Sequence, residues 1–228
     1  FDSVPEDVMV YSLLYADMAV AFGHGDAVNS LGFDADAGGN TLDAYYAELD
    51  GVEFDREGIR QLNTGSGGGI SVDRELLYEL DSDLHLADPC LFVSFDGWSQ
   101  DDVAEIRDRV APWFGNVYSR RNSEPPEPCR DGYEYYTLWE IAERVAGVFR
   151  EESAYEALAT VHDDLLETVQ ADLPPAEERP TVGTLIYMDG TYYPSRSDRP
   201  GFANAHVRPF DVADAFGAAD VTYETAYD

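Results

Sequence analysis

The chain has 228 residues, 44% of them hydrophobic and 13% aromatic, which suits a large cored domain and excludes a disordered acidic tail. Its 46 acidic residues face 14 cations, leaving a formal charge of −32 and a pI near 4.1; neither nucleic acid nor an anionic lipid surface is a fitting main partner. All 14 cations are arginine and Asp outnumbers Glu, the composition of a salt-adapted protein, expected of a haloarchaeon, whose self-repulsion is screened at a Debye length of about 3 Å in roughly 1 M salt.

Val8-Met9-Val10-Tyr11 reads as a short buried strand after the turn-forming Pro5-Glu6-Asp7. A helical pattern over 13–22 stops at Gly23, and a second short strand follows at 27–31. Residues 41–49 pattern as a helix with Leu42, Tyr45, Tyr46 and Leu49 on one side, and 63–69 (NTGSGGG) as a flexible loop. Ser71 is read as the cap of a helix ending near Leu80, before a strand at 84–86. A helix at 100–110 and a strand at 115–118 repeat the alternation, which calls for a parallel sheet covered by helices. Three prolines make 122–130 an irregular connection.

Two strongly periodic helices come next, one through Leu138, Ile141, Ala142, Val145 and Val148. The other runs through Tyr155, Leu158, Leu165, Leu166, Val169 and Leu173, about 20 residues or roughly 30 Å. Pro174-Pro175 ends it, and 181–188 (TVGTLIYM) is the clearest strand of the sequence. An aromatic and basic loop at 191–200, a helical turn at 212–216 and a strand start at 221–223 close the chain.

No run of 18 apolar residues occurs, and the start at Phe1 reads as a trimmed chain with any signal peptide outside it. Cys90 and Cys129 admit a disulfide or two free thiols; neither lies in a CxxC, so a zinc knuckle is unsupported. The glycines at 65–69 have no lysine to complete a phosphate loop. Asp34-Ala35-Asp36 with Gly39 begins like a calcium loop, but Tyr45 stands where the twelfth-position Glu belongs. His24, His85, His162 and His206 form no HExxH, and GxSxG is absent, so nothing positive points to catalysis.

The scarce cations are more informative. Arg120 and Arg121 follow one expected strand, and Tyr193 and Arg196 follow another. Ligands of open α/β folds bind beyond the carboxyl ends of strands. Arginine there can grip an anion bidentately, or it can simply pair with neighbouring carboxylates. Trp98, on the turn Phe95-Asp96-Gly97-Trp98, fits either this rim or the core.

Several segments in order resemble the iron-siderophore and cobalamin group of ABC-transporter solute-binding proteins. They are the strand at 8–11, Gly23-His24-Gly25-Asp26 after the first helix, the run from Ser71 to Leu84, and the long helix followed by Arg179-Pro180-Thr181-Val182-Gly183. The resemblance implies two Rossmann-like α/β lobes joined by a long rigid helix: an N-terminal lobe at 1–133, linking helices at 134–175, and a C-terminal lobe starting at 176–228. Only about fifty residues follow the linking helix, so the second lobe is expected to be truncated.

By position the resemblance implies Trp98, Arg120, Arg121, Tyr193 and Arg196 as ligand-binding residues. It further implies a ferric siderophore-like chelate carrying its own iron, with no protein–metal ligation, no cofactor and no catalysis. An ABC permease would be the partner of a monomer, lipid-anchored at the extracellular face of the cytoplasmic membrane. Cobalamin, haem or a bare metal ion held by histidines and carboxylates, or an α/β enzyme using Cys90 or a bound cluster, are the alternatives.

Overall fold

The computed structural model describes residues 3–33, 41–65, 70–188 and 191–217. The calcium-like Asp34-Ala35-Asp36 with Gly39, the glycines 67–69 and the strand expected at 221–223 lie outside them. The chain divides into two compact units, Phe1–Tyr118 with Glu124–Glu156, and Ser119–Ser123 with Ala157–Asp228.

In the first unit β1 (Val8–Val10), β2 (Val28–Leu31), β3 (Arg60–Gln61) and β4 (Leu84–Leu86) form a wholly parallel sheet in the order β3-β2-β1-β4. Parallel neighbours need crossovers. They are α1 (Leu13–Ala21) after β1, α2 (Thr41–Tyr46) after β2 and α3 (Arg74–Leu80) before β4. Because β2 and β4 flank β1 on opposite sides, the direction of winding reverses between β1 and β4. In such sheets the crevice beyond the strand ends at this reversal is where ligands sit.

Packing follows the pleat. Met9 and Tyr11 join Leu77, Phe92, Phe95, Trp98 and Ile106 in one apolar cluster. Val8 and Val10 alternate with Met9 and are fully buried. Helix α1 packs on α6 (Leu138–Phe149), which buries Ile141, Ala142, Val145, Ala146 and Phe149, a helical stripe. Thr137 and Glu140 close a capping box at the start of α6, satisfying end amides that would otherwise be orphaned.

Two sequence expectations in this unit are corrected, and one helix was not expected. The cap of α3 is Asp73, whose side chain accepts from the Glu75 amide at 3.0 Å. Ser71 is instead engaged with the 63–65 loop, its amide donating to Asn63 Oδ1 at 2.8 Å and its carbonyl accepting from the Thr64 amide. An unexpected helix, α4 (Pro89–Val93), starts at Pro89 with Asp88 as its cap. Residues 115–118 are not a strand, their amides being taken by side chains. The helix at 100–110 is present as α5 (Gln100–Arg109), capped by Ser99 and Asp102.

Helix α7 (Glu152–Ala171) starts in the first unit and continues through the second. Its expected single apolar face divides. Tyr155, Leu166, Val169 and Leu173 are half-buried, while Leu158 and Leu165 are exposed.

The clear strand at 181–188 is interrupted at Gly183. Its first part, β5 (Thr181–Val182), pairs in parallel with β8 (Ala213–Asp214). Its second, β6 (Thr184–Met188), forms an antiparallel hairpin with β7 (Thr191–Ser195). The expected loop at 191–200 therefore begins as a strand, and the expected helical turn at 212–216 contains β8.

Candidate arginine-lined site

The second unit gathers three arginines around one hollow of about 60 Å³, lined by Arg121, Ser195, Arg196, Arg199, Pro200, Ala203 and Asn204. Two waters occupy about that much liquid volume, so the hollow suits a carboxylate- or phosphate-sized group. A whole chelate needs several hundred Å³.

Three local devices build it. Asn204 is buried and its side-chain amide donates to the carbonyls of Arg196 and Arg199 at 3.0 and 3.1 Å, tying the loop after β7 into a ring. Asp214 of β8 accepts from the Ser197 hydroxyl at 2.7 Å, from the Ser197 amide, and from the Phe216 amide at 2.7 Å. Burial pushes the Asp214 carboxyl up, but these bonds outweigh it and hold it below the usual carboxylate range.

Gly201 is the third device. It adopts φ 104°, and a Cβ there would lie 2.8 Å from the Arg120 carbonyl carbon and 2.9 Å from that of Arg121. Only glycine permits that approach of backbone to backbone, which sets Arg121 beside the loop carrying Arg196 and Arg199.

Arg196 is itself engaged: its guanidinium grips Asp198 through two nitrogens, with Nε to Oδ1 at 2.8 Å. That pairing lowers the Asp198 pKa. The arrangement orients the guanidinium and leaves no carboxylate in the lining itself.

Of the five residues named from sequence, Arg121 and Arg196 line this hollow. Arg120 is exposed and contributes its backbone at Gly201. Tyr193 is half-buried on β7, opposite Ile186. Trp98 takes the core place: it is buried in the first unit, its indole N–H donates to the Val72 carbonyl at 2.8 Å, and its ring packs edge-on to Phe92. Sequence reasoning missed Arg199, Gly201 and Asn204; the turn-forming Arg199-Pro200-Gly201 was the available signal.

In the first unit the crevice at the winding reversal is occupied by protein. Asp88, at the end of β4, is 2% exposed and accepts from the Cys90 amide at 2.8 Å, the Val117 amide at 2.8 Å and the Tyr133 hydroxyl at 2.5 Å. Burial pushes its carboxyl up against the pull of these bonds. The same Tyr133 oxygen accepts from the Tyr118 amide at 3.3 Å, and the Asn116 amide donates to the Tyr15 hydroxyl at 2.6 Å. Amides 116, 117 and 118 are thus each taken by a side chain, which is why this apolar stretch joins no sheet.

Cys90 and Cys129 are joined in a disulfide, with Cα atoms 6.0 Å apart. His24 stacks on Phe149 at 4.6 Å, and His85 is buried against Trp113 at 4.4 Å. Among the described residues no group of three or more His, Cys, Asp or Glu side chains is gathered to hold a metal, and no helix is long and apolar enough to cross a membrane.

No protein-family model and no curated protein sequence matches the chain. Solved structures do. The petrobactin-binding protein YclQ of Bacillus subtilis is 16% identical with a TM-score of 0.60, over 99% of this chain and 66% of that one. The siderophore-binding protein BauB, solved with two acinetobactin molecules and ferric iron, gives 16% and 0.60 over 100% and 67%. An ABC-type Fe3+-hydroxamate transport protein of Saccharomonospora viridis gives 14% and 0.56 over 100% and 69%. The chain spans about two thirds of the length of these proteins. At such identities the likeness is one of fold, the two-thirds of the α/β fold that these neighbours share with the chain.

Proposed function

We propose that the chain captures a ferric siderophore-like chelate and delivers it to an ABC permease, with no chemical change to the ligand. The arginine-lined hollow is the observation that carries this reading. In a chain of charge −32, three of 14 arginines converge where the lining holds no carboxylate. The hollow would hold one anionic arm of the chelate, by charge-assisted hydrogen bonds from Arg121, Arg196 and Arg199. Iron would stay in its chelator, so the protein needs no metal ligands. The two compact units would be the N-terminal lobe and the start of the C-terminal one, and α7 the stiff connector.

The same reading places the protein outside the cytoplasmic membrane as a lipid-anchored monomer, where a disulfide persists. The source would be a haloarchaeon, because lysine-free acidity suits molar salt. The test is a tryptophan-fluorescence titration in 2 M KCl with a ferric tris-catecholate, a ferric trihydroxamate and cobalamin. Saturable quenching by a ferric chelate supports the reading. A folded protein indifferent to all three overturns it.

A further inference from the structure

We propose that Tyr133 and Asp88, together with the Cys90–Cys129 disulfide, are positioning residues for Arg121: they form a fixed mount for the five-residue tip that carries it. The proposal rests on the function proposed above for its purpose, and on geometry alone for its existence.

The tip, Ser119–Ser123, belongs to the second unit, while the chain on either side of it belongs to the first. A loop tip whose legs were free would sample many conformations, and ordering it on ligand binding would weaken affinity. Here both legs are fastened. On the outgoing leg, Gly115 lies so close to Ala87 and Asp88 that a Cβ would collide with their backbone. The next three amides are then captured by Tyr15, Asp88 and Tyr133.

The returning leg is held by the disulfide at Cys129 and by the Gln100 side chain, which donates to the Pro128 carbonyl at 2.5 Å. Asn116 then ties the two legs together, its side-chain amide donating to the Glu134 carbonyl at 2.6 Å. Asp88 is common to both legs. It caps α4, where Cys90 begins the disulfide, and it accepts from Val117 on one leg and from Tyr133 beyond the other.

A carboxylate that only capped a five-residue helix would need one or two of these bonds. Its remaining acceptor capacity is spent on the loop. Tyr133 is the most specific member, because its single hydroxyl donates to Asp88 while accepting from the last amide before the tip. Its ring meets Tyr118 edge-on at 5.7 Å, a contact that phenylalanine would keep.

Two measurements on the full chain test the mount and its purpose separately. Amide hydrogen exchange without ligand should show Tyr118 to Asn122 exchanging about tenfold faster in Tyr133→Phe, with α1 and α6 unchanged, and faster again in Cys90→Ser/Cys129→Ser by more than the loss of global stability that α1 and α6 report. Unaltered exchange at the tip overturns the mount whatever the ligand proves to be. The second measurement is a double-mutant cycle read by affinity for a trianionic ferric tris-catecholate. Tyr133→Phe and Arg121→Ala should each weaken binding about tenfold, and together by no more than Arg121→Ala alone, with a neutral ferric trihydroxamate unaffected by either. Additive losses, or equal losses for both chelates, would make Tyr133 merely structural. If the wild-type chain bound neither chelate, the proposed function would fall while exchange still decided the mount.

Discussion

His85 stands on β4 beside Met9 of β1, is fully buried, and packs on Trp113; neither ring nitrogen has a hydrogen-bond partner among the described residues. Burial lowers its pKa from 6.5 to about 4. Above pH 6.5 the ring is neutral in folded and unfolded chains alike, so pH does not act through it. Between 6.5 and about 4 only the unfolded chain takes up the proton, and stability falls as pH falls; below about 4 both forms are charged and the effect levels off.

At about 1.36 kcal/mol per pH unit, the window amounts to about 3 kcal/mol, a large share of an ordinary domain's stability. His85→Leu removes this dependence and two unsatisfied buried nitrogens at once. The variant should therefore be more stable at pH 7 by about 1 to 3 kcal/mol, with its advantage widening by about 3 kcal/mol at pH 4. Urea unfolding in 2 M KCl at pH 7, 6, 5 and 4 reads the difference, and the 46 carboxylates, common to both proteins, cancel. A constant difference across that range, or a His85 imidazole signal titrating near pH 6.5, would refute the reasoning.

Other consequences follow from the disulfide, the glycine and the arginines. Cys90 and Cys129 are 39 residues apart, so removing the bond frees a loop worth about 4 kcal/mol in the chain-entropy account. The urea midpoint of Cys90→Ser/Cys129→Ser should fall accordingly, and an unchanged midpoint contradicts that account. Gly201→Ala should push the Arg120–Arg121 backbone away and weaken a trianionic chelate about tenfold without weakening a neutral one; equal affinity for both proteins would show that the close approach does not set the hollow. Loss of one charge-assisted contact is worth about 1.5 to 3 kcal/mol, so Arg199→Ala should weaken the same probe roughly ten- to hundred-fold by calorimetry. No change would remove Arg199 from the site.

The parallel α/β unit was legible because its signals are local. A three-residue apolar run gives β1, and helical spacing gives α1 and α6. What failed did so where side chains compete with the backbone ladder. Gly115-Asn116-Val117-Tyr118 has strand composition, yet its amides are taken by Tyr15, Asp88 and Tyr133, partners 15 to 101 residues away. The aromatic and basic run 191–200 reads as loop, yet Thr191–Ser195 pairs as a strand, and a two-stranded hairpin, being all edge, tolerates its Pro194.

The Asp88-Pro89 pair is a readable helix start, the signal for α4. For the site, scarcity of cations against −32 picked out Arg121 and Arg196. Arg199 and Asn204 depend on a loop closed by side chain to carbonyl bonds, which no periodicity reports.

On the proposed function the arginine-lined hollow seats an anionic arm of a ferric chelate. Anomalous diffraction at the iron edge, from crystals of the full chain grown with a ferric tris-catecholate, locates the metal directly. One iron peak with no protein ligand is expected, its chelator reaching Arg121, Arg196 and Arg199. Iron bound by protein carboxylates, or a chelate seated away from these arginines, would contradict it.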